Sequence, residues 1–213
     1  MGLENKTPSS RSAHVIYQPD ADGDATNSPQ RSTEETTTPM RPRGLVVMHW
    51  LTVLLLCIGV TLILIRDEVD GRAMRMWLLE GHRHFGLFIL LLFFARVALR
   101  IRLGKLPTEG STSWPIRAAA ASTHAALYAV LLAQPLLGWA LSNAQGKPVH
   151  LFGATLPSLV GADEDLADQL TAWHLDIAWL LLGLVSLHVS AALWHHFVLR
   201  DGVMRRMLPK RRD

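Results

Sequence analysis

The residues with most chemistry to offer are histidines set in apolar sequence. The stretch 173–196 reads WHLDIAWLLLGLVSLHVSAALWHH and carries four imidazoles, His174, His188, His195 and His196. Imidazole offers a nitrogen lone pair near neutral pH and is a common metal ligand, and an ionisable group within a membrane segment is costly enough to mark function. His174 and His188 are fourteen residues apart, which in a helix is about 21 Å along the axis and about 40° short of four full turns. They share a face, at depths too far apart for one metal ion. The spacing asks for two cofactors at two depths, each with a second imidazole opposite.

The elements that must position these groups are apolar helices. The chain has 213 residues, 49% of them hydrophobic, and a formal net charge of +3, but the average covers two unlike parts. Residues 1–43 are rich in Ser, Thr, Pro, Asp and Glu with almost nothing apolar to bury, and are expected to form a disordered cytoplasmic tail. Residues 44–213 are strongly apolar. A bilayer core of about 30 Å needs roughly 20 apolar residues in helical form, and four segments satisfy this, at about 45–65, 80–103, 118–142 and 172–199. The second is the weakest, because Arg96, Arg100 and Arg102 interrupt it. The first run follows more than forty polar residues without a small-residue cleavage site, so it is expected to stay as an anchor and not to be removed as a signal peptide.

Four spans place both ends of the folded part on one side. Lys and Arg concentrate before span one, between spans two and three, and after span four, whereas the two opposite loops hold only Arg66, Arg72, Arg75, Arg83 and Lys147. The positive-inside rule then puts the termini in the cytoplasm. The expected fold is all-α, a membrane four-helix antiparallel bundle, an architecture that holds cofactors between facing helices. The single cysteine, Cys57, and the lack of a CxxCH motif exclude a Cys-based metal site and covalent haem attachment. Nothing points to nucleic-acid binding, and the basic RRMLPKRR end suits anionic lipid.

Orientation supplies the missing partners. His49 lies near the cytoplasmic start of span one, level with His188, and His82 opens span two from the outside, level with His174. Two imidazoles facing across a bundle suit the axial positions of a haem iron, so the expectation is two haem b groups, one held by His49 and His188 near the inner face, one by His82 and His174 near the outer. His84 competes with His82, since residues two apart cannot share a helix face. Gly86, one turn beyond His82, favours His82 by leaving room for a flat macrocycle.

Taken in order, MHWLT in span one, HRHFG with Arg96 fourteen residues after its first His, PLLGW in span three, the WH, H and HH series of span four, and LRDGVMRRMLP resemble the bacterial cytochrome b561 family over residues 44–213. The resemblance implies a di-haem inner-membrane protein exchanging electrons with ubiquinone or a similar quinone, and in one branch oxidising superoxide outside the membrane. It also implies His49, His82, His174 and His188 as the iron ligands. Arg96 then reads either as a partner for a haem propionate or quinone carbonyl, or as an arginine snorkelling to the interface. His195, two turns beyond His188 on the same face, and His124, early in span three, are candidates for a quinone pocket; His196 reads rather as an interface residue beside Trp194. Two other functions stay open: the haem-bearing membrane subunit of a larger dehydrogenase served by a soluble redox partner, and a haem-free membrane scaffold.

Overall fold

The computed structural model describes residues 42–104 and 113–200. The tail expected at 1–43 lies, up to residue 41, outside the described residues, as does the basic C-terminal segment. Four long helices account for most of the rest: α1 Arg43–Arg66, α2 Arg72–Leu103, α3 Trp114–Ala144 and α4 Glu164–Trp194. Each is long and apolar enough to cross a membrane.

Local sequence sets the ends. Between Arg43 and Arg66, α1 has no charged residue, and Arg66 in its last turn meets the negative end of the helix dipole. Gly104, at φ 63°, ends α2 in a conformation that glycine adopts without strain. Pro115 occupies the first turn of α3, where a missing N–H costs nothing, and Pro135 lies inside α3 without ending it. Asp163 caps α4 by accepting the backbone N–H of Leu166 at 2.9 Å, with Glu164 and Asp165 following in the favourable first turn.

Two helices begin eight residues before the apolar stretches do. The structure starts α2 at Arg72 and α4 at Glu164, where the sequence suggested 80 and 172. Charged residues kept these turns out of an apolar count, yet a helix emerging at the membrane surface accommodates them: Arg75 donates to the Val69 carbonyl at 3.0 Å, and Glu80 pairs with Arg83. Likewise α3 runs four residues earlier, from Trp114, and two later, to Ala144. At its other end α4 stops at Trp194, and residues His195–Leu199 form a wider π turn in place of regular helix to 199.

The helices pair as two hairpins, α1 with α2 and α3 with α4, and α2 touches α3 more lightly. Among the described residues α4 makes at most slight backbone contact with α1 or α2, so a slit separates the first hairpin from α4. Side chains at the contacts are aliphatic or aromatic, among them Leu87, Leu90, Phe93, Val130 and Leu181. Large apolar groups also point outward: Ile101 is 74% exposed, Trp179 71% and Leu64 67%. A soluble protein does not present such a surface on every helix; acyl chains would cover it.

The connection between α3 and α4 folds into a small hairpin, β1 His150–Leu151 paired antiparallel with β2 Ala154–Thr155. Its turn, Phe152 at φ 51° and Gly153 at φ 83°, has the two positive φ values of a type I′ turn. Phe152 is an unusual occupant, and its ring rests on Phe88 of α2 at 5.5 Å. Asn143, 5% exposed, ties this connection to the end of α3: its Oδ1 accepts from Leu159 N at 2.9 Å, and its Nδ2 donates to the Lys147 carbonyl at 3.4 Å. Asn143→Ala removes both bonds and is expected to cost about 1–3 kcal/mol, measured as a lower thermal midpoint in detergent.

Candidate functional site

Two imidazole pairs face each other across the slit. His49 of α1 and His188 of α4 have ring centroids 6.2 Å apart with planes at 74°. His82 of α2 and His174 of α4 are also 6.2 Å apart, with planes at 86°. Both pairs therefore use α4 on one side and the first hairpin on the other, at the two depths set by the fourteen-residue interval.

The spacing has a chemical meaning. With a metal–imidazole nitrogen bond of about 2.0 Å and a ring nitrogen roughly 1.1 Å from its centroid, two imidazoles on opposite sides of one ion have centroids about 6.2 Å apart. Two rings in direct edge contact can stand equally far apart, as Phe85 and Phe88 do at 6.2 Å, so it is the recurrence of the imidazole pair at two depths that points to an ion between the rings. Among the described residues no three His, Cys, Asp or Glu side chains gather on one metal position, so an ion held by either pair must bring its other ligands with it. An iron in a porphyrin does that, and the donor set, two neutral nitrogens without thiolate or carboxylate, suits haem b. The residues present fit the group.

Second contacts orient the rings. His82 Nδ1 lies 2.8 Å from the Gly59 carbonyl of α1; a carbonyl can only accept, so Nδ1 carries the proton and Nε2 keeps its lone pair. His84 Nδ1 donates instead to Glu80 O of its own helix at 2.8 Å, and its ring is not among those placed against another imidazole. Gly59 faces Phe85, whose Cβ would be 3.7 Å from an added methyl, which lets α1 and α2 approach closely at the level of that bond.

On the other side, His174 sits against α3. The Gln134 amide nitrogen donates to the His174 carbonyl at 3.0 Å and lies 3.3 Å from its Nε2. A Cβ added at Gly138 would come within 3.2 Å of His174 Cε1, so the PLLGW glycine leaves room for this ring. Sequence reasoning missed Gln134. The available signal was a lone amide in the otherwise apolar run LLAQPLLGW, expensive in a membrane unless it has a partner.

Near the other pair, His124 of α3 brings its ring to 5.3 Å from His188, while its Nδ1 donates to Ala120 O at 2.7 Å. The sequence placed His124 in the same half of the bundle without foreseeing this contact. Arg96 turns toward α3, its guanidinium carbon 5.6 Å from the Tyr128 ring centroid and its Nε buried without a partner. That is an inward placement, in contrast to snorkelling. His195 closes α4 with helical backbone angles and opens the π turn, so it keeps the register of His188; His196 meets Phe197 edge to face at 4.8 Å. Turns of the π type recur at functional sites. A groove of about 410 Å³ lined by Leu51, Leu55, Phe88, Leu91, Leu92 and Ala95 lies on the side of α1 away from His49 and brings no polar group to bear.

Sequence comparison agrees with this arrangement. Residues 40–210 match the family model described as prokaryotic cytochrome b561. The chain is 34% identical over 165 residues to the probable superoxide oxidase CybB of Yersinia pestis, covering 78% of this chain and 93% of that protein. It is 28% identical over 171 residues to cytochrome b561 homolog 1 of Escherichia coli strain K12, covering 78% and 96%, and 35% identical over 139 residues to homolog 2 of the same strain, covering 62% and 70%. With four membrane-length helices and facing imidazoles already in place, a match over that range shows that the chain belongs to the prokaryotic cytochrome b561 family of membrane electron-transfer proteins, whose cofactors are haem b.

Proposed function

We propose that this chain is a di-haem cytochrome of the bacterial inner membrane, with its termini in the cytoplasm, moving single electrons between a donor outside and the quinone pool. The observation that carries the reading is the repeat of one spacing, 6.2 Å, in two imidazole pairs that share α4. His49 and His188 hold the haem nearer the cytoplasm, and His82 and His174 the outer one. Haem, when bound, supplies reversible one-electron chemistry. Held by an imidazole from each helix, the iron would have no open position for substrate, so the protein's part is to hold, orient and insulate.

At the cytoplasmic end, Arg96 offers a buried, unpartnered Nε to a quinone carbonyl or a haem propionate. His195 and His124 flank the same level, and a reduced quinone needs protons that imidazoles near the surface can pass on. The outer donor is superoxide by likeness to the Yersinia pestis relative. The balanced reaction takes two superoxide anions, one quinone and two protons to two dioxygen molecules and one quinol.

The outer rim's charge supports a second reading. Asp163, Glu164, Asp165 and Asp168, at the cap and in the first turns of α4, outweigh Lys147, a surface that repels an anion and attracts a cationic protein. In that reading the chain is the haem-bearing membrane subunit of a dehydrogenase, and a catalytic subunit co-purifies with it. The test of the first reading has two parts. Purified protein is expected to show reduced b-type bands with a haem-to-chain ratio of about two; a colourless preparation from haem-replete cells ends it. Stopped-flow mixing of the oxidised protein with superoxide, then with quinone, is expected to reduce and reoxidise those bands in turn, and failure of superoxide to reduce them removes it as the donor.

A further inference from the structure

Resting on the quinone-pocket reading above, we infer that Tyr128 is a positioning residue for Arg96: its ring holds the guanidinium inside the bundle with the N–H donors open to an oxygen acceptor. The difficulty it answers is one of charge. A guanidinium is never neutral in a protein, and a cation at membrane depth is costly unless something compensates it. Arg96 lies seven residues before Leu103, the end of α2, about 10 Å deeper than that end along the axis. Among the described residues the ion pairs are Arg66 with Asp67 and Arg83 with Glu80, and no carboxylate pairs with Arg96.

What meets the cation is a π face. The Arg96 guanidinium carbon stands over the Tyr128 ring at 5.6 Å from its centroid, inside the range of about 6 Å at which an aromatic face attracts a cation. A carboxylate in the same place would engage two of the N–H groups and cancel the charge. The ring engages none and leaves the charge in place. Arg96 Nε is accordingly buried without a hydrogen-bond partner, a costly state for a donor until an acceptor arrives. A quinone carbonyl and a haem propionate offer the same chemistry, an oxygen lone pair.

The platform is itself held. Phe93 is 9% exposed, and its ring meets that of Tyr128 at 5.8 Å with planes at 65°. Phe93 and Arg96 are three residues apart and so are neighbours on the surface of α2. One turn of that helix therefore sets an aromatic ring and a cation against a single ring of α3. Four residues earlier on the same face of α3 stands His124, whose ring lies 5.3 Å from that of His188. Tyr128 thereby fixes the cation about one helical turn, roughly 6 Å along the axis, from the imidazole beside the inner pair. Without the ring, the long arginine stem is free to carry the charge toward the cytoplasmic surface.

The test uses the full-length haem-loaded protein in detergent. Tyr128→Leu and Tyr128→Met keep apolar bulk and remove the π face, whereas Tyr128→Phe keeps the face and removes only the hydroxyl. Two quantities are read: the short-chain ubiquinone concentration that half-saturates reoxidation of the dithionite-reduced haems, and the midpoint potential of each haem in an equilibrium redox titration. The leucine and methionine variants are expected to raise the half-saturating concentration about tenfold, the size of a desolvated cation–π contact, at an unchanged limiting rate, or to lower the potential of one haem. The first result marks the quinone carbonyl as the acceptor; the second marks the propionate, whose charge the guanidinium no longer offsets. Tyr128→Phe is expected to match the unaltered protein, and Tyr128→Leu to add nothing further in an Arg96→Leu background. If neither quantity moves in the leucine and methionine variants, the role of Tyr128 is overturned; so it is by a phenylalanine variant that fails with them, or by a leucine effect that persists undiminished without Arg96. An Arg96→Leu protein equal to the unaltered one in both quantities overturns the quinone-pocket reading itself.

Discussion

His82→Ala is expected to release one haem, lowering the haem-to-chain ratio from about two to about one, whereas His84→Ala keeps both. The two residues are neighbours in sequence, alike in chemistry and alike in having Nδ1 bonded to a backbone carbonyl. What separates them is where those bonds go. His82 reaches across to Gly59 on α1, twenty-three residues away, and its ring stands 6.2 Å from His174. His84 bonds back to Glu80 on its own helix, which holds the ring along the surface of α2. Two steps along a helix turn a side chain by about 200°, so if one of them faces α4 the other cannot. Haem per chain measured from the reduced pyridine complex checks this, and the reduced-minus-oxidised spectrum of the folded protein shows which of two b-type components is missing. Loss of haem from the His84 variant and not from the His82 variant would reverse the assignment and put the outer site on another face of α2.

How much of this was legible beforehand follows from what each feature depends on. The fourteen-residue interval in α4 is a property of helix geometry alone, and apolar length is a property of composition alone, so four spans and two depths are visible in the sequence. Helix ends are different. Arg72, Arg75 and Glu164 look like loop residues to an apolar count, yet they belong to α2 and α4, because the water-facing turns of a membrane helix tolerate charge. The hairpin at Phe152 was not legible either: HLFGAT carries one glycine, and the positive φ of Phe152 is sustained by a contact with Phe88, distant in sequence. Gln134 and the approach of His124 to His188 depend on how α3 is rotated against α4, which no periodicity in either helix alone specifies.

The same distances predict the outcome at the inner pair, where His188 has two imidazole neighbours. His49→Ala is expected to remove one haem and His124→Ala to leave two, although His124 is the nearer neighbour of His188. Its centroid lies 5.3 Å from that of His188, against 6.2 Å for His49. Two imidazoles sharing one metal ion from opposite sides need about 6.2 Å between centroids, so the closer ring is too close to be the opposite ligand. His124 fits beside His188, on the rim of the space that His49 and His188 define. Its Nδ1 bond to Ala120 O leaves Nε2 available, which suits a group that accepts or donates a proton next to the cofactor. The expected consequence of His124→Ala is therefore a full haem complement with quinone reduction slowed by about 10²- to 10⁴-fold, the range for losing a positioned acid or base. Both quantities come from one preparation: haem content from the pyridine complex, and quinone turnover from its ultraviolet absorbance. A His124 variant that lacks one haem, paired with a His49 variant that keeps two, would place the iron between α3 and α4 and remove α1 from the site.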